Sequence, residues 1–286
     1  MSTTPIDLAH LRTWVGRQQS DDDTLSARHA RLMAATIDRS DLPLAEGQPL
    51  PPLWHWLYFL EGRPRGELGP DGHAARGGFL PPVPLTNRMW AGGRVQWLAP
   101  LPIGGAITKR STVLKVDHKQ GRTGDLVFVT VGHELSAGGT LCIREEQDLV
   151  YKNPTPPGAA AAAEPPPAPG LHTRPYTPDA TMLFRYSALT FNGHRIHYDL
   201  DYCRQAEGYD NLVIHGPLSA TMLAQLAGEL GAAQGLALQA FSYRGVRPAI
   251  LGKPLTLNAN VDGRTVKLWT ALADGQPSMQ AEAALG

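Results

Sequence analysis

The sequence predicts an α+β protein of two tandem repeats, each an antiparallel sheet wrapped around one central helix. Three observations predict it: an internal echo of short motifs, strand-like runs between glycine turns at matching places, and one helix with a broad apolar surface.

The echo runs in one order through both parts of the chain. Pro84-Leu85 with Met89 and Ala91 reads PLxxxMxA, as does Pro217-Leu218 with Met222 and Ala224. Pro100, Gly104 and Thr108 are spaced as Pro248, Gly252 and Thr256 are. Gly121-Arg122-Thr123 answers Gly263-Arg264-Thr265, and Gly138 and Glu145 answer Gly275 and Glu282. Each match is short, but four in register argue for a duplication. Between the copies, 153–170 reads NPTPPGAAAAAEPPPAPG. Repeated proline blocks both helix and sheet ladder, so this stretch is expected to be a semi-rigid linker. The expected division is therefore 1–152, a linker at 153–170, and 171–286.

Residues 126–135 (LVFVTVGHEL) and 265–272 (TVKLWTAL) are β-branched or aromatic with partial alternation, which predicts strands. Glycine turns flank them at 119–121, 137–139, Asp262-Gly263 and Asp274-Gly275. A helix is expected from Pro217 to about 233, because Leu218, Met222, Leu226 and Leu230 recur every four residues. Small residues fill much of the rest, so the helix should be buried. One buried helix wrapped by a meander of strands is the hot-dog architecture, and two copies make a double hot dog. The N-terminal stretches 7–15 and 24–36 should add one or two helices.

Bulk properties narrow the function. The 286 residues are 42% hydrophobic and 18% charged, as in a soluble globular protein. The 26 basic and 26 acidic side chains cancel, which argues against a nucleic-acid binder. Cys142 and Cys203 lack CxxC spacing, so neither a disulfide framework nor a zinc site is expected. No apolar run is long enough to span a bilayer and no leader is legible, so the reading is cytoplasmic, without a membrane partner.

The densest polar cluster is 185–201, RYSALTFNGHRIHYDLD, placed after a run at 184–191 that reads as a strand. It holds Asn192, His194, His197 and Asp199, and is followed by Ile214-His215-Gly216-Pro217-Leu218 at the helix opening. Pro217 suits a first helical turn, and Gly216 is then expected as the N-cap. Its N–H would lie at the positive end of the helix dipole with no side chain in the way, where an enolate oxygen would need a donor. Trp54, Trp56 and Trp90 read as core that could line an acyl tunnel.

The order Asn192-x-His194-x-x-His197, then His215-Gly216-Pro217-Leu218, resembles the hydratase motif of the MaoC-like and (R)-specific enoyl-CoA hydratase superfamily. That motif is D-x-N-x-x-H followed by a helix opening of the H-G-(M/P)-L type. Asn192 stands where the family has its catalytic Asp, and His194 where it has Asn. The phrase SALTFNGHRIHYD, with LPPLWHW at 50–56, GFLPPVP at 78–84 and RMWAGG at 88–93, is similar to one branch of that superfamily. The branch contains the mesaconyl-C4-CoA and itaconyl-CoA hydratases and the mitochondrial-type 3-hydroxyacyl thioester dehydratases.

The resemblance implies hydration of a C5 dicarboxylic enoyl-CoA to citramalyl-CoA, or the reverse. His197 would be the general base, Asn192 the amide that orients water, and the Gly216 N–H the oxyanion donor. Since Asn cannot act as a carboxylate base, either His197 makes both proton transfers or His194 or Asp199 assists. His215 would anchor the helix. A free carboxylate on the substrate would need a cation, for which Arg88 is the candidate, expected at the start of a first-repeat helix. Arg244, Arg247 and Lys253 are candidates for the CoA phosphates. No metal or redox cofactor is implied, only CoA as the carrier of the substrate, and a homodimer is open. Two other readings stand: a 3-hydroxyacyl-ACP or acyl-CoA dehydratase of fatty-acid type, with a long apolar pocket, and a non-catalytic acyl-thioester-binding subunit. A hot-dog thioesterase would place an acid on the helix, and Glu229 lies far from its start.

Overall fold

The alternation at 126–135 belongs to one strand of a sheet that unites both parts of the chain. The computed structural model describes residues 5–121, 124–153 and 165–286. Its first part runs α1 (Leu8–Arg12), β1 (Gln18–Thr24), α2 (Ala27–Thr36), β2 (Asn87–Trp97), β3 (Ala106–Gly121), β4 (Gly124–Ala137) and β5 (Thr140–Lys152). The second runs β6 (His172–Tyr176), α3 (Ala180–Leu189), α4 (Leu200–Tyr202, one turn), α5 (Gly216–Ala232), β7 (Leu238–Gly245), β8 (Leu255–Asp262), β9 (Thr265–Ala271) and β10 (Pro277–Leu285).

Strand order is β1-β3-β4-β5-β2-β7-β10-β9-β8-β6, antiparallel throughout. The second half of that order mirrors the first, the pattern of two hot dogs joined edge to edge. The seam is β2 on β7, from Gly92 opposite Arg244 to Gln96 opposite Ala240. A Cβ on Gly92 would stand 2.4 Å from the Tyr243 carbonyl oxygen, so glycine is needed where the two inner strands approach. Most of the proline-rich stretch at 153–170 lies outside the described residues.

α5 is the core of the second half. Leu218, Leu223, Ala224 and Ala227 are fully buried, and the helix packs on β7, β8, β9 and β10. In the first half its place in chain order, between α2 and β2, is taken by two single-turn 3-10 segments, Trp54–Leu57 and Arg65–Glu67. The sheet there lacks a long helix, and this shortfall leaves room for a cavity.

Three local expectations are corrected. The first-half PLxxxMxA opens no helix, and Arg88 lies on β2. Gly92-Gly93 follows at once, and a glycine pair disfavours the helix that Gln225-Leu226 continue at the matching place in the second half. The run at 184–191 is mostly helix α3, because the Asp179 carboxylate accepts the Met182 N–H at 2.7 Å and Leu183, Tyr186 and Leu189 form one buried face. The N-cap of α5 is His215, so Gly216 is its first helical residue. No helix among the described residues is long and apolar enough to cross a membrane. Cys142 and Cys203 are buried and unpaired.

Candidate active site

The histidines of 192–197 and the start of α5 meet because two crossings tie them together. The Val213 N–H donates to the Ile196 carbonyl at 2.9 Å, and the Ile214 N–H to the Ala249 carbonyl at 2.9 Å. His197 is 7% exposed, and its Nδ1 donates to the Val213 carbonyl at 2.7 Å. That bond fixes the tautomer and leaves the Nε2 lone pair free to take a proton. The His215 ring stacks on His197 with centroids 3.6 Å apart, and its Nε2 bonds the Ser187 hydroxyl at 2.8 Å. Gly216 therefore enters α5 beside His197, and its N–H is among those a helix leaves unpaired. Trp90 packs over it, since a Cβ at Gly216 would lie 3.1 Å from the indole.

Asn192 turns its Oδ1 to the His194 backbone N–H at 2.9 Å, which orients the amide and leaves its hydrogens for a water or a substrate. Asp199 accepts from Arg195 at 2.7 Å and from the Tyr202 N–H at 3.0 Å. It holds the segment together.

His194 faces a group that the sequence reasoning missed. The His73 ring lies 4.3 Å from it, and His194 lies 5.5 Å from His197, centroid to centroid. His73 Nδ1 bonds the Asp71 carboxylate at 2.9 Å. Both residues come from the first half, on a loop stapled to the motif. The Arg195 N–H donates to the Asp71 carbonyl at 2.9 Å, and its guanidinium to the Pro70 carbonyl at 3.1 Å. Gly72, with φ of +89°, passes so close to Gly193 that a Cβ would stand 2.0 Å from its carbonyl oxygen. The only sequence signal was an Asp-Gly-His triplet inside a Gly- and Pro-rich stretch that reads as plain loop.

Arg88 is half-buried beside this loop, and its charge acts on Asp71, His73 and the buried Tyr151 phenol. Among the described residues it has no carboxylate in ion-pair range. The other expected cations are elsewhere. Arg244 points to the opposite face of β7 from Tyr243, donates to Gln280 at 3.0 Å and lines an outer groove that holds none of these histidines. Its expected place at the site is thereby corrected, since alternate residues of a strand face opposite ways. Arg247 faces Asp274 at 4.0 Å and Lys253 faces Asp210 at 3.3 Å, on the connection that packs beside 212–214.

A cavity of about 860 Å³ opens against the site, walled by His73, Arg88, Trp90 and Asn192. On the first-half sheet its wall carries Lys109, His133, Glu145 and Gln147. Glu145 is 2% exposed and accepts from His55 Nε2 at 2.9 Å and from the Trp56 indole and Gln147 amide at 2.8 Å each. Burial pushes its carboxyl up, but His55 outweighs that and brings it down to about 2. Trp54 is core, whereas Trp56 and Trp90 line the cavity.

Burial lowers His197 and His133 to about 4 and His194 to about 3, and takes His215 well below its ordinary value. All four are neutral at pH 7, as a base awaiting a proton must be. The unfolded chain protonates these rings near 6.5, so between there and about 4 it binds more protons than the folded one. Stability is therefore present above 6.5 and lost as pH falls towards 4. Thermal melts should show a lower Tm at pH 5 than at pH 7.5, and an unchanged Tm would refute the buried neutral histidines.

Donor atoms of Asp71, His73 and His194 lie within 4.8 Å of one another, close enough for a small cation. The neighbouring Arg88 charge opposes one, and the Asp71 carboxylate already has a hydrogen bond from His73.

Comparison with known proteins places this geometry. The profile of the hydroxyacyl-thioester dehydratase type 2 family matches residues 53–251. The chain belongs to that family. It is a hydro-lyase of acyl thioesters with the MaoC-like double hot-dog fold. It is 42% identical to the mesaconyl-C(4)-CoA hydratase of Chloroflexus aurantiacus over 275 residues, 96% of this chain and 97% of that one. Among solved structures it resembles a MaoC-like dehydratase from Phytophthora capsici, with TM-score 0.73, 14% identity and 98% of each chain covered. A Mycobacterium tuberculosis protein described as a double hot dog gives TM-score 0.58 at 11% identity, over 95% of this chain and 96% of that one. The type 2 dehydratase match spans the first-half loop of Asp71 and His73 as well as the motif at 192–197.

Proposed function

We propose that this hydro-lyase adds water across the double bond of a C5 dicarboxylic enoyl-CoA, mesaconyl-C4-CoA or itaconyl-CoA, to form citramalyl-CoA. The observation that carries the reading is Arg88, a half-buried guanidinium without a carboxylate partner among the described residues, placed beside His73. A guanidinium in that state is a natural seat for a substrate carboxylate. In mesaconyl-C4-CoA the carboxylate hangs on the β-carbon, so its cation must stand close to the base. The 42% identical relative supports the same substrate class.

With mesaconyl-C4-CoA, whose double bond is conjugated to the thioester, His197 Nε2 takes a proton from water as the oxygen bonds the β-carbon. The double-bond pair moves towards the thioester oxygen, where the Gly216 N–H and the α5 dipole hold the developing charge. The Asn192 amide hydrogens hold the water or the substrate. Arg247 and Lys253, beside the segment that enters α5, are the candidates for the CoA phosphates. The cavity wall carries Lys109, His133 and Glu145 but also Phe59, Leu60, Phe184 and Phe191, so the substrate assay and not the lining separates this reading from the fatty-acyl one.

Purified protein with mesaconyl-C4-CoA, itaconyl-CoA and crotonyl-CoA, followed by loss of the enoyl-thioester and by product mass, tests the proposal. Hydration of a dicarboxylic substrate at least ~30-fold better than crotonyl-CoA is expected, as a carboxylate clamp contributes on the order of 2–5 kcal/mol. Activity confined to crotonyl-CoA would move the chain to the fatty-acyl dehydratases. No turnover at all would favour a binding subunit.

A further inference from the structure

Hydration needs a proton delivered to the α-carbon as well as one removed from water, and Asn192 cannot supply the carboxylate its position has in the resembled motif. We propose that the Asp71–His73 pair of the first repeat is the second proton-transfer group of this site, linked to His197 through the His194 ring. The inference rests on the hydro-lyase reading and adds a residue pair to it.

Three observations carry it. The imidazoles of His73, His194 and His197 follow one another beside the site, with centroid spacings of 4.3 and 5.5 Å. Only His73 in that series has a carboxylate on its Nδ1; His197 has a backbone carbonyl there. A ring backed by Asp71 is the one whose cation is best compensated, so a proton taken by His197 runs towards it. Third, the loop is fixed on the motif by the Arg195 N–H, the Arg195 guanidinium and the Gly72–Gly193 approach, bonds that serve to hold this pair in place.

The step balances with every ring neutral at start and finish. Water gives its proton to His197 Nε2 while its oxygen bonds the β-carbon, leaving the enolate. That proton passes by way of His194 to His73, where Asp71 compensates the charge. His73 then releases it to the α-carbon as the enolate pair forms the new C–H bond. In the reverse direction His73 removes the α-proton. Burial lowers the proton affinity of His73 most, the Arg88 and Arg76 charges lower it further and Asp71 raises it, while His194 is the other ring that faces it.

The test uses the full chain with His73→Gln and Asp71→Asn. Running the hydrated thioester in D2O reads α-proton removal separately from water loss. His73→Gln is expected to lower kcat by ~10²-fold or more and to abolish deuterium wash-in at the α-carbon, with KM within a few-fold of the parent. Asp71→Asn, which leaves the ring in place, should cost less rate and shift the kcat pH profile downward, because the compensating anion is gone. Thermal melts check that both variants fold. His73→Gln with kcat and wash-in within threefold of the parent would overturn the relay while leaving the hydro-lyase intact. Loss of parent activity to a chelator, restored by zinc, would overturn it in favour of a metal held by these groups. An inactive parent would overturn the underlying reading and the relay with it.

Discussion

Replacing His197 by alanine is expected to lower kcat for hydration by ~10²–10⁴-fold, the range a positioned acid–base group contributes. The ring's Nδ1 is committed to the Val213 carbonyl, so Nε2 is the only atom it can offer to water. Burial keeps it neutral down to about 4, so it is a competent base through the whole neutral range. Truncation also strands the buried Val213 carbonyl, at about 1–3 kcal/mol. His197→Gln separates the two effects, since its amide can still donate to Val213 but cannot accept and hold a proton. The same fall in kcat with most of the lost stability restored is the expected result for the glutamine variant. If either variant kept a tenth of the parent kcat, His197 would not be the base.

The largest stability effect is expected away from the reacting groups, at Glu145. Glu145→Ala should destabilise the fold by about 3–5 kcal/mol, the range for removing one member of a buried, hydrogen-bonded cluster around a charge. The carboxylate accepts three hydrogen bonds, from His55, Trp56 and Gln147, and all three donors would be left facing a void. Glu145→Gln should also destabilise, because its amide N–H must then face one of those donors. Chemical denaturation of parent and variants reads this directly, and a loss below about 1 kcal/mol for Glu145→Ala would show that the cluster does not hold the fold together. The residue lies in the half without the 192–197 motif, so the polarity of the cavity wall is built on a stable element and not on a loop.

Much of the fold could be read from the chain. The strands at 126–135 and 265–272, their glycine turns and the helix after Pro217 all appear where local pattern placed them. These elements are written in short-range periodicity, which neighbours along the chain suffice to express. Where that signal was short it misled. Residues 184–191 are apolar enough for a strand, yet an Asp179 cap and the spacing of Leu183, Tyr186 and Leu189 make them helix. The first-half PLxxxMxA promised a helix, and Gly92-Gly93 against Tyr243 turned it into the inner strand that joins the two halves.

The chain by itself determined the double hot-dog class, the hydro-lyase family, and the local set of Asn192, His194, His197 and Gly216, because these lie within one segment and the helix it leads to. Only the tertiary structure decided what surrounds them. His73 and Asp71 lie more than a hundred residues upstream of His194, and no spacing rule links them. They reach it because a loop between α2 and β2 is held against residues 193–195 by the Arg195 bonds and the Gly72–Gly193 approach. Arg88 was legible as a cation, but its lack of a carboxylate partner beside His73 exists only in three dimensions. Arg244 was as legible, and the two-residue period of a strand sends it to the other face. Contacts between distant segments depend on how whole elements pack, and no local pattern of residues encodes that.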